Sequence, residues 1–462
     1  MNQQVNNNNQ PVLPRRSRRL ATIIPASHWI GLGYSEDDAQ SMVMLQTDMK
    51  EYGDWKFRYS NKSINLVGSS DDNMLPHHDL MIPHWNKLFK AIDGRTSVDY
   101  FYIGDLCMPG SVLDIMFPAL QSLNLNTLYL SQVGLESDGY KLLASFLKEN
   151  STLKMLLLSE NEFDDVSAAS SFSDAVKINP SLEILSFSSC SLCNKVLREI
   201  LEGCKRKSQL GLELHMESFG SDAIAIMADY ISSNHLLLGI DMSGNRITDS
   251  DATQLAAGLK KNTNLHWLEI HNNDITEEGE MCLRKVLFDP TSIDSIVQSN
   301  HRCRVYTYDN NARDNSIIAH RPPPEKEVLR INKEECTIGQ KIRKKVVLAL
   351  CGSNRELFDL AFLNDMSLEL MPRMLELTQE YGRTRTEAFR CMMPEDRADE
   401  VLEAIDRYIG PWPSSKQLEK DALSRLYHTL RGWELPSLFV NLRTPSANIS
   451  TGKRKRRKTC RH

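Results

Sequence analysis

An apolar frame returns every 27 to 29 residues through the middle of this 462-residue chain. Leu153, Leu156, Leu158, Asn161 and Phe163 define it. Leu265, Leu268, Ile270, Asn273 and Ile275 repeat it, as do Leu237, Ile240, Met242, Asn245 and Ile247. Weaker copies begin at Val98, Leu125, Leu182, Gln209 and Ile293. A fixed period of this size implies stacked supersecondary units, none of which buries its apolar face alone. Positions four and six of each frame point inward from a short strand, and positions three, five and seven point outward. The Asn at position nine is placed to hydrogen-bond the backbone where the chain leaves the strand, with Cys190, Glu217 and His301 standing there in other frames and Leu106 and Val133 in the first two. The rest of each unit reads as helix. Tyr140, Leu143, Ala144 and Leu147 share one face over 137–150, and Leu255, Ala256 and Leu259 share one over 250–262, with Asp249 and Ser250 as expected N-caps.

These frames resemble the ribonuclease-inhibitor type of leucine-rich repeat over residues 98–303. The resemblance implies an α/β solenoid of about eight units, a horseshoe with parallel strands on the concave face and helices on the convex face. It implies binding and names no partner, since one fold serves many roles. The segment from Ser299 to Tyr306, with Leu430-Arg431-Gly432-Trp433, also resembles a large group of diatom leucine-rich-repeat proteins and supplies no activity.

Six regions are expected. Residues 1–26 are Asn/Gln-rich, then Arg-rich, and read as disordered. Residues 27–97 form an N-terminal capping region, with Trp85, Leu88, Phe89 and Ile92 at helical spacing just before the first frame. Repeats span 98–303 and a linker or arm 304–337. Helical apolar spacing over 338–441 predicts a C-terminal helical domain, broken at Gly410-Pro411-Trp412-Pro413. Residues 442–462 read as a disordered basic tail.

The formal charge of −5 conceals an acidic body with basic ends: 1–20 and 451–462 hold eleven Arg or Lys and no acid, leaving −16 for the remainder. An acidic body is a poor duplex binder, because phosphate contacts need Lys and Arg on a common face. No stretch reaches the roughly 18 apolar residues of a membrane span, and no secretory h-region is visible, so an intracellular protein, nuclear or cytoplasmic, with reduced thiols is expected.

The outward positions read in columns. Column five runs Tyr102, Tyr129, Leu157, Ser186, Glu213, Asp241, Glu269 and Val297. Column three runs Tyr100, Thr127, Met155, Ile184, Gly211, Gly239, Trp267 and Ser295, and column seven carries His215 and His271. The first half of the wall is aromatic and apolar; the second is acidic. Like charges on neighbouring strands destabilise the sheet, so the stripe of Glu213, Asp241 and Glu269 predicts a positive partner: a basic segment of another protein, with Tyr102, Tyr129 and Leu157 taking its apolar anchor, Tyr100 beside them on the face, and His215, Trp267 and His271 beside the acids. A solvated acidic face is the plain alternative. A metal held by the carboxylates and His215 or His271 is a third reading, disfavoured because outward side chains on adjacent strands rarely converge to four ligands; no cofactor is expected.

Other features carry less. Cys190 and Cys193 form a lone CxxC without a second ligand pair and read as structural thiols. His77, His78 and His84 lack a nucleophile or carboxylate at fixed spacing. Gly31-Leu32-Gly33 lacks the strand, further glycines and Lys of a phosphate loop. Lys453, Arg454, Lys455, Arg456, Arg457 and Lys458 form a basic run that reads as a nuclear import signal; against nucleic acid it would bind weakly and without sequence preference.

The reading that results is a protein-interaction scaffold without catalysis. Two alternatives stand beside it. One is a regulator of an enzyme, since the Ran GTPase-activating protein shares this repeat type, although no residue carries over and the tail here is basic where that family's is acidic. The other is a nuclear nucleic-acid-associated protein acting through its basic ends.

Overall fold

A computed structural model of the chain describes residues 22–53, 62–68, 74–93, 98–233, 235–291, 293–307 and 323–351. The chain divides into two units, Met1–Leu283 with Arg302–Asn315, and Arg284–His301 with Ser316–His462.

The first unit is a leucine-rich-repeat solenoid. After α1 (Ala26–Gly31) and α2 (Glu36–Gly53), strands and helices alternate: β1 (Ser63–Val67), α3 (Ile82–Ile92), β2 (Tyr100–Gly104), α4 (Gly110–Gln121), β3 (Thr127–Ser131), α5 (Ser137–Glu149), β4 (Met155–Ser159), α6 (Val166–Ile178). The alternation continues through β5 (Ile184–Ser188), α7 (Asn194–Cys204), β6 (Gly211–His215), α8 (Ser221–Ser232), β7 (Gly239–Asp241), α9 (Asp249–Lys261), β8 (Trp267–Glu269), α10 (Glu277–Leu287) and β9 (Arg304–Tyr306); α11 (Ile293–Gln298), which precedes β9 in the chain, belongs to the second unit. The nine strands form one parallel sheet in sequence order. Parallel neighbours need a crossover, and α3 to α10 supply one each between successive strands.

Side-chain alternation follows from the strand period. Leu156 and Leu158 are fully buried while Met155, Leu157 and Ser159 are half-buried on the other face. The same pattern holds for Phe101 and Ile103, Leu128 and Leu130, and Leu212 and Leu214. Each such leucine contributes roughly 1.5–3 kcal/mol by leaving water. Aromatic stacking continues the core beneath β4 and β5, where the rings of Tyr140 and Phe163 lie 3.7 Å apart and Phe163 meets Phe187 at 6.2 Å. At the N-terminal end α3 buries Trp85, Leu88, Phe89 and Ile92, and α2 packs against it.

Polar groups close each turn. Asn161 donates to the carbonyls of Leu130 and Ser159 and accepts from the amides of Val133 and Leu135. After β7 and β8, Asn245 donates to the carbonyls of Leu214 and Met242 and accepts from the Phe219 amide, and Asn273 donates to those of Met242 and Ile270 and accepts from the Ile247 amide. Where Cys190 replaces the Asn, its thiol lies 3.4 Å from the Leu158 carbonyl. Glu217 fills the next rung, its two carboxylate oxygens accepting from the amides of Cys190 and Leu192 at 2.7 and 2.8 Å. A second asparagine ladder lies at the helix C-termini. Asn150, Asn179 and Asn262 each accept from the two amides that lead into the following strand, and Asn179 and Asn262 donate back to Leu147 and Ile231 of the preceding helices.

The residue just past β2 to β6 is left-handed, as is the third residue past β7 and β8: Asp105, Gln132, Glu160, Ser189, Met216, Gly244 and Asn272 have φ between 48° and 71°. This conformation costs a non-glycine residue of order 1 kcal/mol. It aims the amides of Asp105, Gln132, Glu160 and Ser189 at the carbonyl ending the next strand, as in Gln132 to Ser159 and Glu160 to Ser188 at 2.8 Å, and those of Met216 and Gly244 at Ser243 and His271 just beyond β7 and β8.

Three expectations are corrected. The frame beginning at Ile293 forms α11, and the ninth strand is Arg304–Tyr306, so the sheet runs past residue 303. Apolar residues three apart, such as Ile293 and Ile296, fit a helical turn as well as a repeat frame; His301 accordingly holds no Asn-type rung and contacts the Val297 carbonyl. One strand lies earlier than expected, β1 within the capping region, paired with β2. The N-cap of α9 is Thr248, in a capping box with Asp251. Asp249 instead reaches the next unit, accepting from the amides of Thr276 and Gly279 at the start of α10.

In the second unit α12 (Pro323–Lys333) and α13 (Ile338–Cys351) pack together, and α13 contacts α11. Lys345 is fully buried, its ammonium donating to the carbonyls of Leu287 and Asn300 at 2.6 and 2.9 Å. Burial, with the nearby charge of Lys341, draws its pKa down to about 7. The helical region expected beyond residue 351, the N-terminal Arg group and the basic tail lie outside the described residues.

Candidate functional site: the open face of the sheet

The columns expected from the frame are the columns of the sheet as far as β8. Tyr102 pairs with Tyr129, Tyr129 with Leu157, Leu157 with Ser186, Ser186 with Glu213, Glu213 with Asp241, and Asp241 with Glu269. Column three passes likewise from Tyr100 through Gly211 and Gly239 to Trp267. Val297 and Ser295 do not continue them; Tyr306 and Arg304 do.

Two blocks result. Over β2–β4 the rings of Tyr102 and Tyr129 lie 4.9 Å apart, tilted by 54°, with Leu157 beside Tyr129. The Tyr129 hydroxyl lies 3.2 Å from that of Ser159. Burial, with neighbouring charge and phenols, raises the pKa values of Tyr100 and Tyr102. Both phenols are therefore neutral over the physiological range. Ser186 separates this block from the acidic one.

Over β6–β8 the carboxylates of Glu213, Asp241 and Glu269 stand side by side, one per strand. Asp241 is 7% exposed and accepts from the Ser243 amide at 2.8 Å. His215 bridges the stripe, Nε2 lying 3.6 Å from Glu213 and Nδ1 3.6 Å from Asp241. An imidazole donates from both nitrogens only when protonated. Pairing with Glu213 raises the His215 pKa, burial opposes that rise, and the charges of Asp241, Glu213 and Glu269 add to it. Glu269 is raised by burial and then by Asp241 and Glu213, while His215 and Arg304 pull it back. His271 lies 3.9 Å from Glu269.

Arg304 and Tyr306 bound the stripe, and sequence reasoning missed both. The Arg304 guanidinium carbon lies 5.8 Å from the centre of the Tyr306 ring, and the Arg304 side chain donates to the Tyr306 hydroxyl at 3.0 Å. The alternation of Arg304, Val305 and Tyr306 was the available signal. Trp267, half-buried, lies over Gly211 and Gly239.

Asp241, Glu269 and His271 each present one potential ligand atom, all within 4.8 Å of one another. A tetrahedral site with bonds near 2.1 Å has edges of about 3.4 Å, so these groups must draw together to hold an ion. They supply three donors, and His215, the other histidine of the column, pairs with Glu213 and Asp241 instead.

Among the described residues no helix is long and apolar enough to cross a membrane. Lys453, Arg454, Lys455, Arg456, Arg457 and Lys458 lie outside the described residues.

No family model matches the chain. It is 28% identical over 190 residues to ribonuclease inhibitor from Sus scrofa, covering 41% of this chain and 40% of that protein. It is 28% identical over 171 residues to NACHT, LRR and PYD domains-containing protein 4C from Mus musculus, covering 36% of this chain and 17% of that one. The chain thus spans well under half the length of either relative. Among solved structures, a protein from Bacteroides fragilis aligns over 51% of this chain and 66% of its own at 14% identity and a TM-score of 0.31. Yeast Rad7 with Elc1 aligns over 55% and 86% at 16% and 0.26. The parallel sheet, the alternating helices and the likeness to ribonuclease inhibitor together make this a leucine-rich-repeat fold.

Proposed function

We propose that the chain is a protein-interaction scaffold that binds a basic segment of a partner protein on the open face of its sheet. The observation that carries this reading is the stripe of Glu213, Asp241 and Glu269 on three adjacent strands, which His215 and Arg304 partly offset. Carboxylates this close repel one another, and an incoming cation relieves that repulsion while gaining charge-assisted hydrogen bonds. The aromatic block of Tyr102, Tyr129 and Leu157 lies on the same face and supplies apolar area for an anchoring side chain. A sheet fixed by strand pairing loses little entropy on binding. The relatives' leucine-rich repeats are consistent with a binding role. We further assign the basic run at Lys453–Lys458 to nuclear import.

The test is affinity capture from cells, comparing the intact chain with a Glu213→Gln, Asp241→Asn, Glu269→Gln variant that keeps side-chain size and removes charge. A partner held by the first and released by the second supports the reading. Identical partner sets would end it.

A further inference from the structure

Column three changes character where column five turns acidic. It reads Met155 and Ile184 on β4 and β5, then Gly211, Gly239 and Trp267 on β6, β7 and β8. The two glycines make room for the indole. A Cβ on Gly239 would stand 1.8 Å from Cε2, 2.2 Å from Cδ2 and 2.3 Å from Nε1 of Trp267; one on Gly211 would stand 3.1 Å from Cζ2. The ring therefore lies flat across β7 and reaches β6, with one face packed on the main chain. Trp267 is half-buried, so the residue keeps solvent-accessible surface.

Two residues further along those same strands, on the same side of the sheet, stand Glu213, Asp241 and Glu269. Same-face neighbours two apart on a strand are about 6.6 Å from each other. A flat π-surface is thus edged by a row of carboxylates. One strand along, the chain displays the matching guest: Arg304 lies against the Tyr306 ring, and its charge acts on Glu269.

We propose that the indole of Trp267, seated on Gly211 and Gly239, forms with Glu213, Asp241 and Glu269 a slot for an arginine side chain of the partner. This deepens the basic-segment reading and rests on it. Arginine fits better than lysine because a planar guanidinium stacks on the indole while its edge donates in pairs to a carboxylate, and it is more weakly hydrated than an ammonium. Asp241, the most deeply set of the three, is the partner for that edge.

Fluorescence anisotropy with labelled hexa-arginine, hexa-lysine and hexa-(trimethyl-lysine) peptides on the full chain tests the slot. The intact protein should bind hexa-arginine about fivefold more tightly than hexa-lysine, the scale of one stacked cation. Trp267→Leu should weaken hexa-arginine more than hexa-lysine and so bring the two affinities together. Gly239→Ala, which displaces the ring without removing it, should do the same. Equal binding of the arginine and lysine peptides by the intact chain, a preference that survives Trp267→Leu, or tighter binding of the trimethylated peptide would overturn the arginine slot and leave the scaffold reading standing. Failure of all three peptides to bind would overturn both.

Discussion

Gly239→Ala should destabilise the first unit, and the amount follows from the indole above it. The new Cβ would lie 1.8 Å from Cε2 of Trp267, far inside the roughly 3.5–4.0 Å at which carbon atoms pack. Gly239 is held by pairing on both sides, with Gly211 and with Trp267, so the ring must move. Lifting it exposes the packed face, on the order of 100 Å², at a cost of about 2.5 kcal/mol. Alanine returns about 0.5–1 kcal/mol by restricting the unfolded chain. The net loss is about 1.5–2 kcal/mol. In a Trp267→Ala background there is no ring to displace, and the same substitution should stabilise by about 0.5–1 kcal/mol. A double-mutant cycle read by urea unfolding should therefore show a coupling of about 2.5 kcal/mol. Gly110→Ala is the control, since a Cβ there meets nothing within 4 Å. An equal effect of Gly239→Ala in both backgrounds would refute the seated indole.

Other outcomes follow from particular groups. Asn161→Ala orphans the Val133 and Leu135 amides and takes a donor from the Leu130 and Ser159 carbonyls, and should cost about 3 kcal/mol in chemical unfolding. By NMR, His215 should titrate above its ordinary 6.5 and fall back in Glu213→Gln; the stability it adds is present at acid pH and is lost as pH rises through the raised value. His301 acts in the opposite sense. Burial, then the charges of Lys345 and Lys341, depress it to about 4, so acidification from 6.5 towards 4 should lower the unfolding midpoint of the second unit, and His301→Gln should flatten that dependence. Deleting residues 451–462 should abolish nuclear accumulation of a fluorescent fusion; unchanged accumulation would remove the import assignment.

The face of the sheet was legible because strand alternation and a fixed frame determine register together. Glu213, Asp241 and Glu269 align as their frame positions require. The ends were not legible, because the period breaks there. Trp267 pairs with Arg304, 37 positions on, against 28 positions from Gly239 to Trp267, and the added length carries α11. At the other end β1 would open its frame on polar Asn61 and so lacks the apolar signal. The indole seat was hidden for another reason: a glycine has no side chain to read, and Gly211 and Gly239 acquire meaning only once Trp267 is placed above them. The helix-terminal asparagines escaped because Asn179 and Asn262 look like ordinary loop residues until their bonds to the preceding repeat are seen.

Site-directed photo-crosslinking in the captured complex addresses the binding face most directly. One crosslinker replaces Leu157, at the edge of the aromatic block nearest the acidic one on the open face; the other replaces Arg198, exposed on α7. If the open face is the working surface, the partner is joined to the chain from position 157 and not from 198. Crosslinks from 198 alone would place the partner on the helices and contradict it.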